Sequence, residues 1–176
     1  MAATQIQSGF ADCIIAGGVE SISTTQGHIN QYMFENEKIT EKVPGVYHAM
    51  GTTAETVAKR YNVTRESQDE YALSSQQRCA EAQNQGLYDD EIVPMKTLMM
   101  VKDKETGEIS EVETVVDKDN CNRPQTTLEG LASLNPVFDP ENGSVTAGNA
   151  SQLSDGASVT MVMNADKANE LGLEPL

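Results

Sequence analysis

Residues Val145 to Ser158 read V-T-A-G-N-A-S-Q-L-S-D-G-A-S. Only Val145, Thr146 and Leu153 carry branched side chains, and nearly all the rest are Gly, Ala, Ser, Asn or Asp. Small residues let a backbone approach a ligand closely, and glycine reaches dihedrals closed to other residues. The stretch runs directly into V-T-M-V-M (Val159–Met163), an apolar run with the β-branched composition of a strand. A small polar loop feeding a core strand is a favoured ligand position in an α/β protein. Spacing alone leaves open the plainer reading, an ordinary turn before a strand.

Outward from that strand, Asn164 caps a last helix, A-D-K-A-N-E-L, and Gly172 closes it. On the other side, Thr127–Leu134 is a short helix. Leu98–Val101 and Ile109–Val116 flank K-D-K-E-T-G-E, which predicts a β-hairpin; Glu91–Val93 is strand-like and stopped by Pro94. Thr64 caps a long helix ending near Gln85 and Gly86. Thr52 and Glu55 form a capping box, and Ala54, Val57, Ala58 and Tyr61 recur at helical spacing as that helix's buried face. Thr24–Gly45 is polar and irregular. Cys13–Ala16 reads as a short buried strand turned by Gly17-Gly18, with Val19–Ser23 beginning a loop. Residues 1–9 read as the end of a helix closed by Gly9. The strands near 13–16 and 159–163 are expected to be neighbours in one sheet, buried on both faces, around a large insertion.

Composition excludes several classes. The 176 residues carry 27 acidic against 12 basic groups, a net charge of -15. Such a surface repels nucleic acid and anionic membrane, and an anionic ligand would need local Arg or Lys. No run of about eighteen apolar residues predicts a membrane span. Met1–Phe10 lacks the basic start and apolar stretch of a signal peptide, so a cytoplasmic location is expected. Cys13, Cys79 and Cys121 have no C-x-x-C spacing and are expected to be reduced and non-catalytic: Cys13 a buried small hydrophobe, Cys79 on a helix, Cys121 in a loop.

Six stretches, in order, carry a resemblance. They are A-D-C-I-I-A-G-G-V-E-S-I-S (Ala11–Ser23), M-G-T-T-A-E-T-V-A (Met50–Ala58), R-x-x-Q-D-x-x-A-L-x-S-Q-x-R (Arg65–Arg78), D-E-I-V-P (Asp90–Pro94), R-P-x-T-T-L-E-G-L-A-x-L-x-P-V-F (Arg123–Phe138) and the T-A-G-N-A-S loop. Together they resemble the thiolases, which exchange acyl groups between coenzyme A thioesters, and they cover essentially the whole chain. The implied fold is α/β, part of a layered αβαβα arrangement. Residues 1–23 and 145–176 would belong to the N-terminal core, and 24–144 to a loop-domain insertion that packs over the active site.

The resemblance also implies site residues. Ala147 and Ser151 would lie along the pantetheine arm, with Ser151 bonding a pantetheine amide; the plain alternative is a turn serine bonded to nearby backbone. Arg123 matches an arginine near the adenine-phosphate end of coenzyme A, a task suited to a forked, permanently charged head. Gly130, Leu131 and Phe138 match positions lining the same groove, though Leu131 and Phe138 suit a core equally. Met50 matches a Met near the reacting acyl end, with a core Met as the equal alternative. In biosynthetic acetoacetyl-type thiolases a His directly precedes that Met. Here Ala49 does and His48 stands one earlier, which is closer to the degradative enzymes and makes His48 an ordinary loop histidine. Glu20 and Asp155, beside Gly-rich turns, look buried and are expected to brace loops through backbone N–H groups rather than act as a carboxylate pair.

The family's nucleophile motif C-S-S/G-G and its N-E-A-F, G-H-P and C-x-G-G motifs do not occur in the sequence. The expectation is an internal piece of an acetyl-CoA acyltransferase of fatty-acid β-oxidation, inactive alone, with no resident cofactor or metal and coenzyme A as substrate. The parent would be a homodimer or homotetramer. The alternatives are a non-catalytic coenzyme A-binding or oligomerisation module, and a fragment of a biosynthetic acetoacetyl-CoA thiolase.

Overall fold

A computed structural model describes residues 1–175. Its contacts divide the chain into two compact units, one formed by Met1–Phe34 with Leu153 onward and the other by Glu35–Gln152.

The first unit contains α1 (Ala2–Gln7), β1 (Cys13–Glu20), α2 (Ile22–Thr25), β4 (Gly156–Met163) and α7 (Ala165–Leu171). β1 and β4 pair antiparallel from Cys13↔Met163 to Glu20↔Gly156, joining the two expected neighbours across the insertion. β1 is longer than expected: Gly17-Gly18 is strand, not a turn. A Cβ on Gly17 would crowd the Val159 side chain and the Ser158 carbonyl, so glycine here permits close strand approach. β1 therefore runs on to Glu20, and Ser21 leads into α2 rather than an open loop.

Burial on both faces is not observed. Ile14, Ala16 and Val162 are half-buried, while Cys13, Ile15, Val159 and Met161 are exposed. α1 packs on both strands, and among the described residues the exposed Cys13 and Ile15 alternate with the half-buried Ile14 and Ala16 along β1. Cys13 is accordingly an exposed thiol, not a buried hydrophobe. Gly9 sits at φ +74° after α1, and Asn164 Oδ1 accepts the Asp166 N–H at 2.8 Å to cap α7, which Gly172 ends in the left-handed region.

The second unit holds α3 (Glu37–Lys42), α4 (Met50–Tyr61), α5 (Arg65–Asn84), the hairpin β2 (Met95–Lys102) and β3 (Ile109–Val116), and α6 (Leu128–Ala132). The hairpin is as expected but begins earlier, with Met95↔Val116 its outermost pair. Glu91–Val93 is not strand: the Glu91 and Ile92 N–H groups both donate to the Tyr88 carbonyl in a turn that precedes β2. α3, unforeseen in the polar stretch, is capped by Asn36, whose Oδ1 accepts the N–H groups of Lys38 and Ile39. Thr64 caps α5 and Thr127 caps α6, each taking the N–H three residues on.

The capping box at Thr52 is not formed. α4 starts at Met50 and has no side-chain cap; Thr52 lies inside it, its carbonyl accepting the Thr56 hydroxyl at 3.0 Å. The buried face is also shifted. Glu55 and Ala58 are buried, whereas Ala54, Val57 and Tyr61 are exposed. The cause is the destination of Glu55: its carboxylate closes backbone donors ninety residues away.

Candidate functional site

The small-residue loop is held from below by polar side chains. Glu55 accepts the N–H groups of Ser144 (2.8 and 3.0 Å) and Val145 (2.7 Å) and the Ser144 hydroxyl (3.2 Å). Gln68 Nε2 donates to Ser144 Oγ at 2.9 Å. Thr146 is fully buried; its N–H donates to Asn149 Oδ1 at 2.8 Å, and its Oγ1 accepts from Gly148 and Asn149. Asn149 Nδ2 donates to Asp69 Oδ1 and to the Ser144 carbonyl, both at 2.9 Å. Asp69 also takes the Arg65 Nε at 2.8 Å, and the same guanidinium donates to the carbonyls of Leu131 (2.6 Å) and Leu134 (3.0 Å). Buried polar groups must be paired, and here the pairing ties α4, α5 and the end of α6 to one loop.

Packing adds to this. A Cβ on Gly148 would strike the Leu131 and Leu134 side chains, and one on Gly51 would overlap the Phe138 ring. The Val137 N–H donates to the Val145 carbonyl at 3.0 Å, setting the Phe138 segment alongside the loop. Lys59 and Asp139 pair at 2.7 Å. That hydrogen bond and charge hold the Asp139 carboxyl below the usual carboxylate range, helped by the Asn142 N–H, and raise the Lys59 ammonium above its ordinary value.

The expected site residues fall as follows. Ala147 and Ser151 are exposed, on the outward side of the braced loop. The Ser151 hydroxyl donates to the Gln152 carbonyl at 3.3 Å, the local bond of the plain reading. Leu131 is buried at 4% exposure beneath Gly148, a core role. Gly130 donates its N–H to Thr127 Oγ1 at 3.1 Å as part of the α6 cap. Phe138 is partly exposed over Gly51, and Met50, the first residue of α4, is 77% exposed and no core Met. These contacts bring Phe138, the Met50–Gly51 step, Leu131 and the loop into one neighbourhood. Arg123 stands apart from those contacts. Its side chain is exposed and its N–H donates to Gln76 Oε1 at 2.6 Å.

His48 is exposed in a loop; its N–H donates to the Gly45 carbonyl at 3.0 Å and its ring lies over Gly45. Cys79 lies on α5 and Cys121 in a loop, as expected. A cavity of ≈ 270 Å³ lies along α5, lined by Tyr71, Ser74, Ser75, Arg78, Cys79 and Tyr88, none of them expected site residues.

In the first unit, Asp155 braces as expected although it is exposed rather than buried. It accepts the Ser23 N–H at 2.8 Å, the Ser23 hydroxyl, and the Ser21 hydroxyl at 3.4 Å. The Ser23 hydroxyl and then its N–H pull the Asp155 carboxyl below its ordinary range. Glu20 is exposed at the end of β1, across from Gly156, so it too is not the buried acid its setting suggested.

Sequence reasoning assigned nothing to Arg65, Asp69, Gln76 or Asn149, and it placed Glu55 in a helix cap. Arg65 and Asp69 stand four apart on a helix, a spacing that favours an ion pair, and this was the available signal.

The chain matches known proteins along nearly its whole length. The family model described as the N-terminal domain of thiolase matches residues 1–166. The 3-ketoacyl-CoA thiolase of Bacillus subtilis (strain 168) is 44% identical over 99% of this chain and 44% of that protein. The peroxisomal 3-ketoacyl-CoA thiolase B of Mus musculus is 43% identical over 96% of this chain and 38% of that protein. The dimeric peroxisomal thiolase of Saccharomyces cerevisiae matches with a TM-score of 0.81 at 34% identity, over 99% of this chain and 42% of that one. The chain thus spans less than half the length of the relatives it matches.

Proposed function

This chain belongs to the thiolase family and has its α/β fold, and on that premise we propose that it supplies a coenzyme A-binding face of a 3-ketoacyl-CoA thiolase. The observation that carries the reading is the braced loop. Backbone from Ser144 to Asn149 is fixed by buried Glu55, Asp69 and Thr146, while Ala147 and Ser151 remain open to the outside. A preset backbone lowers the ordering cost of binding. Ser151 can exchange its weak local bond for a pantetheine amide, Phe138 offers an apolar face, and Arg123 offers charge to a phosphate.

The reaction proposed for the whole protein consumes a 3-ketoacyl-CoA and coenzyme A. A cysteine thiolate attacks the ketone carbonyl, the carbon–carbon bond breaks, and acetyl-CoA leaves after proton return. The acyl group then passes from the cysteine to the second coenzyme A. The motifs that would supply that cysteine, its acid–base partner and the histidine are not among these 176 residues, so the polypeptide by itself is proposed to have no turnover. The degradative role is supported by Ala49 before Met50 and by the naming of the two relatives as 3-ketoacyl-CoA thiolases. Both the mouse relative and the yeast thiolase are peroxisomal, so the proposed chemistry is not tied to the cytoplasm.

Homo-oligomer formation is part of the proposal. The yeast thiolase is dimeric, and among the described residues the β1–β4 pair is a two-stranded sheet with unpaired edges.

Titration of the isotope-labelled chain with coenzyme A tests the reading. Binding is expected only near the millimolar range, with amide shifts gathered at Ala147–Ser151, Met50, Phe138 and Arg123. Shifts that avoid the loop would sink it. A ketoacyl-CoA cleavage assay on the same chain is expected to match the blank.

A further inference from the structure

We propose that Gln76 and Gln83, on one face of α5, are positioning residues that set Arg123 for the phosphorylated nucleotide end of coenzyme A. The inference rests on the coenzyme A reading of this chain.

Gln76 Oε1 accepts the Arg123 N–H at 2.6 Å, and Gln83 Nε2 donates to the Asp119 carbonyl at 3.2 Å. The two glutamines stand seven residues apart, two turns of one helix, and so share a face. The segment 119–123 is thereby tied at both ends to a rigid element. Its continuation is fixed as well. Pro124 restricts the Arg123 backbone, and the Arg123 carbonyl accepts both the Thr126 N–H at 3.0 Å and the Thr126 hydroxyl at 2.7 Å. Both backbone polar groups of Arg123 are therefore engaged.

Its side chain is not. Among the described residues the exposed guanidinium has no acidic partner, in a sequence with 27 acidic and only 12 basic groups. Phosphate oxygen is an acceptor that suits an exposed guanidinium. An exposed arginine without an acidic partner, on a backbone fixed at both polar groups, describes a prepared phosphate contact, with α5 as its support.

The test uses the full 176-residue chain, titrated by NMR with coenzyme A and with 3′-dephospho-coenzyme A, alongside amide exchange at Arg123. The unsubstituted chain is expected to prefer coenzyme A by about tenfold, and Arg123→Gln to abolish that preference. Gln76→Met keeps the length but loses the acceptor. It is expected to release the Arg123 amide to exchange and to cut the preference about three- to tenfold, with affinity for the dephospho form unchanged. Gln76→Glu keeps an acceptor and is expected to retain the protected Arg123 amide. A protected Arg123 amide in Gln76→Met, an unchanged preference, or equal weakening toward both nucleotides would overturn the inference while leaving the reading intact. No preference in the unsubstituted chain, no binding at all, or no effect of Arg123→Gln would overturn the reading and the inference together.

Discussion

Glu55 Oε1 accepts the backbone N–H of Val145 at 2.7 Å across ninety residues of sequence. Both partners are buried, at 5% and 7% exposure, so water cannot replace either one. Glu55→Gln turns an N–H₂ group toward N–H donors and removes the charge that strengthens the bonds. A loss of about 1–3 kcal/mol is expected. Urea unfolding followed at the second unit measures it, and an unshifted midpoint would show that the loop is held by other means.

Asn149 makes a second test of the same support. Asn149→Ala leaves Asp69, Thr146 and Ser144 each short of a partner and should cost about 1–3 kcal/mol. Asn149→Asp should cost more, because its carboxylate would face that of Asp69 at the present 2.9 Å separation. Adding Asp69→Asn to Asn149→Asp should restore part of the loss. A double-mutant cycle reads the coupling, and simple additivity would mean that the two side chains act independently.

Gly51→Ala is expected to displace the Phe138 ring, since a Cβ at that position overlaps it. Overpacking of this kind costs about 1–3 kcal/mol. Ring proton shifts of Phe138 report the movement directly; unchanged shifts would mean that the helix start yields in place of the ring.

Acid should release the first unit's brace late. The Asp155 carboxyl titrates below its ordinary value because the Ser23 hydroxyl and N–H donate to its charged form. Its stabilising contribution is therefore complete above the unfolded value of about 3.9, and is lost as pH falls through the lower folded value. Asp139 follows the same sense, while its raised partner Lys59 contributes below the ordinary lysine value and loses that contribution as pH rises through the folded one. Exchange protection of the Ser23 amide should persist down through the ordinary carboxylate range and vanish only below it. Asp155→Asn should abolish this dependence.

The isolated chain should melt poorly. Among the described residues the buried apolar side chains are Ala58, Leu131, Val145 and Ala168, while Ile15, Val159 and Met161 of the β1–β4 pair stand exposed. Burying each such large side chain is worth roughly 1.5–3 kcal/mol, and that gain is not taken up here. A broad thermal transition with dye-binding apolar surface is expected, with α4 and α5 the slowest to exchange. A sharp reversible transition of the monomer above about 60 °C would contradict this.

What the sequence disclosed was local. Thr64, Asn164, Gly9 and Gly172 announce helix ends because a cap and its partner lie within a few residues. The partnership of the strands near Cys13 and Met163 in one sheet was also foreseen, though not its antiparallel direction, and so was the turn around Gly107. Burial was misjudged at Cys13 and Val159, because an apolar strand shows that it wants cover without showing whether cover is present. Polar partnerships were missed for a different reason. Glu55, Asp69 and Gln76 sit on helices where an acid or amide ordinarily faces water, and their partners lie 47 to 90 residues away. Nothing in local spacing distinguishes a solvated glutamate from one that closes a distant loop.

α5 also fixes a length. Its 20 residues carry Asp69 under the small-residue loop, Gln76 under Arg123 and Gln83 under Asp119, each seven positions from the last. At 1.5 Å per residue these fastenings recur about every 10 Å along one rod. The gap between the loop's fastening and that of Arg123 is set by helical rise, not by any flexible connection. That spacing is a gauge set by the helix itself, and it cannot stretch. A single inserted residue between Asp69 and Gln76 would shift that gauge by only 1.5 Å but rotate one fastening about 100° from the other, and the measurement would be lost by twist before it was lost by distance.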